Sequence, residues 1–143
     1  METHVSEITH VIQLSVAPAF LLVAMGTLIT ILSTRLNRIV DRRRLLQERL
    51  RESREDHADI MRELDLLSHR SNLIYSAILS AVSGALLICL VVAGTFLGAL
   101  FTIELAKIVA SLFVLAMGTM IVAWSFFLRE IYIAVSTGTH KYR

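Results

Sequence analysis

RLNRIVDRRRLLQERLRESREDHADIMRELDLLSHR, Arg35 to Arg70, is the most densely charged segment of the chain. It holds ten of the fourteen basic residues and eight of the twelve acids. The flanks are nearly charge-free: Val11 to Thr34 has no charged residue, and Asn72 to Leu128 has only Glu104 and Lys107. A membrane-spanning helix needs about 20 mostly apolar residues. The first flank supplies one such helix, and the second is too long for one crossing and sufficient for two. With 143 residues, 55% of them hydrophobic, and a mean hydropathy of +0.67, the chain is more apolar than soluble domains usually are. The expectation is an all-α integral membrane protein forming a single domain over residues 1–143. Its three transmembrane helices are placed at about 11–34, 72–97 and 106–128, with a turn between Gly98 and Lys107.

Within Arg35–Arg70 nothing breaks a helix, because neither Gly nor Pro occurs between Gly26 and Gly84. Leu36, Ile39, Val40, Leu46 and Leu50 recur at helical spacing, and Ile60, Met61, Leu64 and Leu67 do so again. Two amphipathic arms result. They extend the first and second spans as a helical hairpin over 35–71, with its reversal near Ser53 to His57. Lys and Arg are retained on the cytoplasmic side during insertion. Residues 35–70 carry ten of them, and Arg129, Lys141 and Arg143 follow the last span. Residues 1–10 carry none. The expected topology is therefore an outside N-terminus, with hairpin and C-terminus in the cytoplasm. Trp124, Phe126, Phe127, Tyr132 and Tyr75 fall where an interfacial aromatic belt would lie. The first apolar run has no basic leader and no small-residue cleavage site, so it reads as a retained span rather than a secretory signal.

The spans carry two kinds of polar and small residues. Thr27, Thr30, Thr34, Asn37, Arg38 and Asp41 share roughly one-third of the circumference of the first helix at 100° per residue. Gln13 joins them if Pro18 preserves the phase of the helix it bends. A polar side facing lipid is costly, so this one is expected to meet another helix or water. These seven are the candidate pore-lining residues, although each hydroxyl can also bond its own backbone. Ser76, Ser80 and Gly84, then Gly94 and Gly98, form close-packing faces of the kind that let helices approach in lipid. With Pro18 they are the candidate packing positions. They suit either assembly with further copies or packing within one chain.

Several classes of chemistry are not supported. The sequence has no phosphate-cradling glycine loop, no metalloprotease helix motif and no nucleophile elbow, so no catalytic residue, cofactor or enzyme activity is expected. Cys89 is the lone cysteine, which leaves no intramolecular disulfide. His4, Glu7 and His10 are too few ligands on a terminal segment for a metal centre. Glu104 and Lys107 are placed to pair across the outer turn. The basic run Arg42, Arg43, Arg44 is suited to acidic lipid headgroups. The acids of the segment nearly neutralise its other bases, which argues against nucleic acid.

SVAPAFLLVAMGTLITILSTRLNRIVDRRRLL at Ser15–Leu46, HRSNLIYSAI at His69–Ile78 and FLREIYIA at Phe127–Ala134 together resemble the bacterial membrane family catalogued as domain of unknown function 2721. The resemblance implies three spans and no established activity. It also implies that Pro18, Arg35, Asp41, Arg42, Arg70 and Glu130 form a shared cytoplasmic-boundary cluster, within which opposite charges pair. The functional expectation is a small homo-oligomeric membrane protein that conducts ions along the polar side of helix one. The alternative is a membrane-anchored structural or regulatory adaptor whose hairpin binds a partner.

Overall fold

The computed structural model describes residues 2–52, 57–101 and 105–139, except for the side chains of 2–8, 11, 14, 52 and 137–139. The described residues form three α-helices: α1, Glu2–Glu52; α2, His57–Phe101; and α3, Ala106–Thr139. Each contains an 18-residue window with mean hydropathy between 2.1 and 2.5, so all three are long and apolar enough to cross a membrane. The chain is a multi-pass, all-helical membrane protein. At about 1.5 Å per residue, the 51 residues of α1 reach about 75 Å. Hydrocarbon accounts for only about 30 Å of that, so the polar arm continues the membrane helix without a break. α3 likewise runs beyond the apolar stretch ending at Leu128, to Thr139. Of the reversal expected near Ser53 to His57, residues 53–56 lie outside the described residues, as does Glu104 with its expected partnership to Lys107.

The helices follow a seven-residue register. In α1 Pro18, Met25, Leu32, Ile39 and Leu46 are buried; in α2 Leu67, Ile74, Ala81 and Ile88; in α3 Ala116, Ala123 and Glu130. A seven-residue repeat keeps one seam of a helix against its neighbours. The long apolar side chains outside the seam, such as Phe20, Val23, Leu79, Leu86, Val114 and Ile121, are exposed, as they must be where lipid is the solvent.

The helices divide into two compact units. The first combines Met1–Ile29 with Ser80–Val122. Its core is Met25, Ile88 and Ala116, with Leu21, Leu22, Ala85, Leu87, Met117 and Met120 packed around them. Close approach here depends on Gly84: a Cβ at that position would lie 2.6 Å from Thr119 Oγ1 and 2.7 Å from Met25 Cε. Apolar burial against lipid supplies little association free energy, so such close packing does the holding. The second unit combines Thr30–Leu79 with Ala123–Arg143, and its interior includes Leu32, Ile39, Leu46, Leu67, Ile74 and Ala77. One fully buried residue in that interior is a charged one, Glu130.

Candidate functional site

Glu130 stands seven residues after Ala123 and fourteen after Ala116, at the seam position of α3. Its side chain has no solvent exposure. A carboxylate taken out of water so completely is very unfavourable unless it is paired and hydrogen-bonded. Two guanidiniums meet that need. Arg35 of α1 donates from Nη1 to Glu130 Oε2 at 2.8 Å, and Arg70 of α2 donates from Nη2 to Oε1 at 2.8 Å. Each carboxylate oxygen receives one charge-assisted bond, and all three helices are tied at a single residue. The Arg35 guanidinium also lies 5.2 Å from the ring centroid of Phe127, one turn before Glu130 on α3. Trp124 meets Phe127 edge-on, 5.9 Å between centroids at 62°. A Trp124–Phe127–Arg35–Glu130–Arg70 chain of contacts therefore runs through the second unit.

The arms of α1 and α2 share a second ion pair. Arg42 donates from Nε and Nη2 to Glu63 Oε1 at 3.0 and 2.9 Å. Both side chains are substantially exposed, at 44% and 36%, which makes this a surface pair of small energetic weight. Of the residues grouped by family resemblance, the structure brings Arg35, Arg70 and Glu130 together. Arg42 instead binds Glu63. Asp41 is exposed and takes part in none of the ion pairs among the described residues. Pro18 is buried in the first unit.

The polar residues of α1 are placed differently. In the first unit Gln13 and Thr27 are exposed; in the second Thr30, Thr34, Asn37, Arg38 and Asp41 are exposed. Thr27 Oγ1 donates to Val23 O at 3.0 Å and Thr34 Oγ1 to Thr30 O at 2.9 Å. Their hydroxyl hydrogens are thus committed to the helix. Among the packing candidates Gly84 is buried, while Ser76, Ser80, Gly94 and Gly98 are half-buried. A Cβ on Gly94 would sit 3.1 Å from Val109 Cγ2. Arg43 is half-buried and Arg44 exposed.

Chemically, the Glu130 group is a clamp. A guanidinium offers donors and no acceptor, and both oxygens of Glu130 are already engaged. Nothing in it resembles a nucleophile with its base. Among the described residues no group of three His, Cys, Asp or Glu is close enough to hold a metal. The sequence alone did not show Phe127 as the partner of Arg35, Glu63 as that of Arg42, or Trp124 as that of Phe127. A signal for the clamp itself exists: Arg35 follows Leu28 by seven, Arg70 precedes Ala77 by seven and Glu130 follows Ala123 by seven, so charges occupy the register of the buried seam.

No curated protein and no solved structure matches the chain. The family model described as "Protein of unknown function (DUF2721)" matches residues 15–139, a range that contains all three spans and the Arg35, Arg70 and Glu130 clamp. The chain is a member of that three-span DUF2721 family.

Proposed function

We propose that the chain assembles with copies of itself in a bacterial inner (plasma) membrane and conducts ions along the polar side of α1. The N-terminus is outside, and the C-terminus and a helical hairpin formed by the α1 and α2 arms are cytoplasmic. One observation carries the reading: all seven polar residues, Gln13, Thr27, Thr30, Thr34, Asn37, Arg38 and Asp41, are exposed in the single chain. The buried seam of the same helix uses other positions. A polar side left over in a membrane helix meets lipid at a cost, or it meets water and further copies. Because Thr27 and Thr34 give their hydrogens to the backbone, their oxygen lone pairs remain to solvate an ion or a water file. Asn37, Arg38 and Asp41 stand at the cytoplasmic mouth, and Arg42, Arg43 and Arg44 lie where acidic headgroups gather. The test is single-channel recording of the purified chain and of Asp41→Ala in planar bilayers. The reading expects altered conductance or ion selectivity in an assembly of unchanged size; identical conductance and selectivity would remove Asp41 from the path.

A second reading is favoured by a different observation. Leu45, Met61 and Leu66 lie in the polar arms, beyond the apolar runs, and are 55%, 57% and 45% exposed. Apolar residues in that position suit a protein partner, and the chain would then be a membrane-anchored adaptor. Deleting 45–66 separates the two: an adaptor loses its partner, whereas a channel that still assembles continues to conduct.

A further inference from the structure

We propose that the open side of the Arg35–Arg70 pair binds a phosphate group, supplied by an anionic lipid headgroup. Three observations converge on it, and none depends on ion conduction. The first is charge: two guanidiniums share one carboxylate, which leaves the group at +1. Among the described residues no further acid neutralises it, since Glu63 is engaged by Arg42 and Asp41 is in no ion pair.

The second is hydrogen-bonding capacity. Each guanidinium has five N–H donors and spends one on Glu130. Nε of Arg70 is sealed from solvent with no acceptor, so the capacity Arg70 has left is on its Nη edge. The Arg35 side chain is 39% exposed and that of Arg70 24% exposed, so both side chains are reachable from outside. A planar fork matches two phosphate oxygens in a way that an ammonium does not. The third is depth. Arg35 directly follows Thr34, Arg70 stands two residues before Asn72, and Glu130 stands two after Leu128. All three are at the ends of apolar runs, where headgroup phosphates lie. Trp124 and Tyr75, exposed at 43% and 57%, fit the same interfacial level. In this arrangement Glu130 is the positioning residue: it orients the two guanidiniums and offsets one of their charges.

Trp124 is the sole tryptophan and touches the ring that carries Arg35, so its fluorescence reads the site. The full chain in phosphatidylcholine nanodiscs is titrated with phosphatidylglycerol and, separately, with inorganic phosphate. A saturable change with phosphatidylglycerol alone identifies a lipid headgroup; the same change with inorganic phosphate shows a phosphate site open to the free ion as well. No saturable change with either overturns the proposal. Arg35→Lys, which keeps the charge and loses the fork, is expected to bind several-fold more weakly. Arg62→Gln removes one full positive charge at an exposed position of α2 and should leave the titration unchanged. If Arg62→Gln weakens binding as much as Arg35→Lys, the attraction is diffuse and the site does not exist.

Discussion

Replacing Arg70 by methionine removes one of the two guanidiniums that hold a carboxylate with no solvent exposure. Glu130 keeps Arg35, at 2.8 Å, so the loss is that of one charge-assisted hydrogen bond, about 1.5–3 kcal/mol. Removing both arginines is a different perturbation, because the carboxylate is then buried with no counter-charge; breaking such a pair costs about 3–5 kcal/mol. Replacing the whole group by apolar residues of similar volume, as in Arg35→Met, Arg70→Met and Glu130→Leu together, eliminates the buried charge. That exchange is near neutral, or stabilising by about 1–4 kcal/mol, where buried ion networks have been replaced in this way. The triple variant is therefore expected to be more stable than the double one despite an additional substitution. The assay is equilibrium unfolding in mixed micelles with a rising fraction of dodecyl sulfate, followed by helical circular dichroism and by Trp124 fluorescence. A single Arg70→Met variant indistinguishable from the parent, or a triple variant as unstable as the double, would refute the clamp as the source of this energy.

Gly84→Ala and Gly118→Ala should move stability in opposite directions in the same micelle assay. A Cβ at Gly84 meets Thr119 Oγ1 and Met25 Cε within 2.7 Å, an overpacking worth about 1–3 kcal/mol of destabilisation. One at Gly118 meets nothing within 4 Å and gains about 0.5–1 kcal/mol from helix propensity. Arg42→Ala breaks a pair exposed on both sides and should cost less than about 1 kcal/mol, an effect that fades as salt is raised. In a Cys89→Ala chain, a cysteine placed at Arg44 should react with a membrane-impermeant maleimide only when the cytoplasmic face is opened, and one at Glu7 should react in intact cells. The reverse pattern would invert the proposed orientation.

Much of the architecture was legible because the membrane imposes a coarse rule. Runs such as Val11–Thr34 and Asn72–Leu128 have no alternative use on a chain this small, and the absence of Gly and Pro between Gly26 and Gly84 lets α1 and α2 extend far into the polar segment. What periodicity conveyed less fully was which apolar residues turn inward. Ile39 and Leu46 are buried, whereas Leu36, Val40 and Leu50 of the same pattern are half-buried and Met61 is exposed. Lipid accepts apolar side chains as readily as a core does, so hydrophobicity alone does not separate seam from surface. The seven-residue register does so better, and it is the small members, Ala81, Ala116 and Ala123, that mark the seam.

The same register explains what could be known of the clamp. Arg35, Arg70 and Glu130 entered through family resemblance, and their positions in the buried register give the independent physical reason. Their common depth was legible, since each lies at the end of an apolar run; which side chains meet across the helices was not, because a register specifies a face and not the contacts made from it. For that reason Phe127 beneath Arg35, and Met25 with Thr119 against Gly84, emerge only from the structure. The preference of Arg42 for Glu63 was hidden for another reason. In a segment with ten bases and eight acids many exposed pairings are nearly equal in energy.

The mass of the purified protein in nanodiscs, by native mass spectrometry, decides whether the chain assembles with copies of itself. Conduction along α1 requires a closed assembly of several 16.0 kDa chains, with the outward side of α1 at its axis, and that is the expected mass. A monomer at every protein concentration would contradict it, because a single chain leaves Thr27, Thr30 and Thr34 facing lipid and encloses no path for an ion.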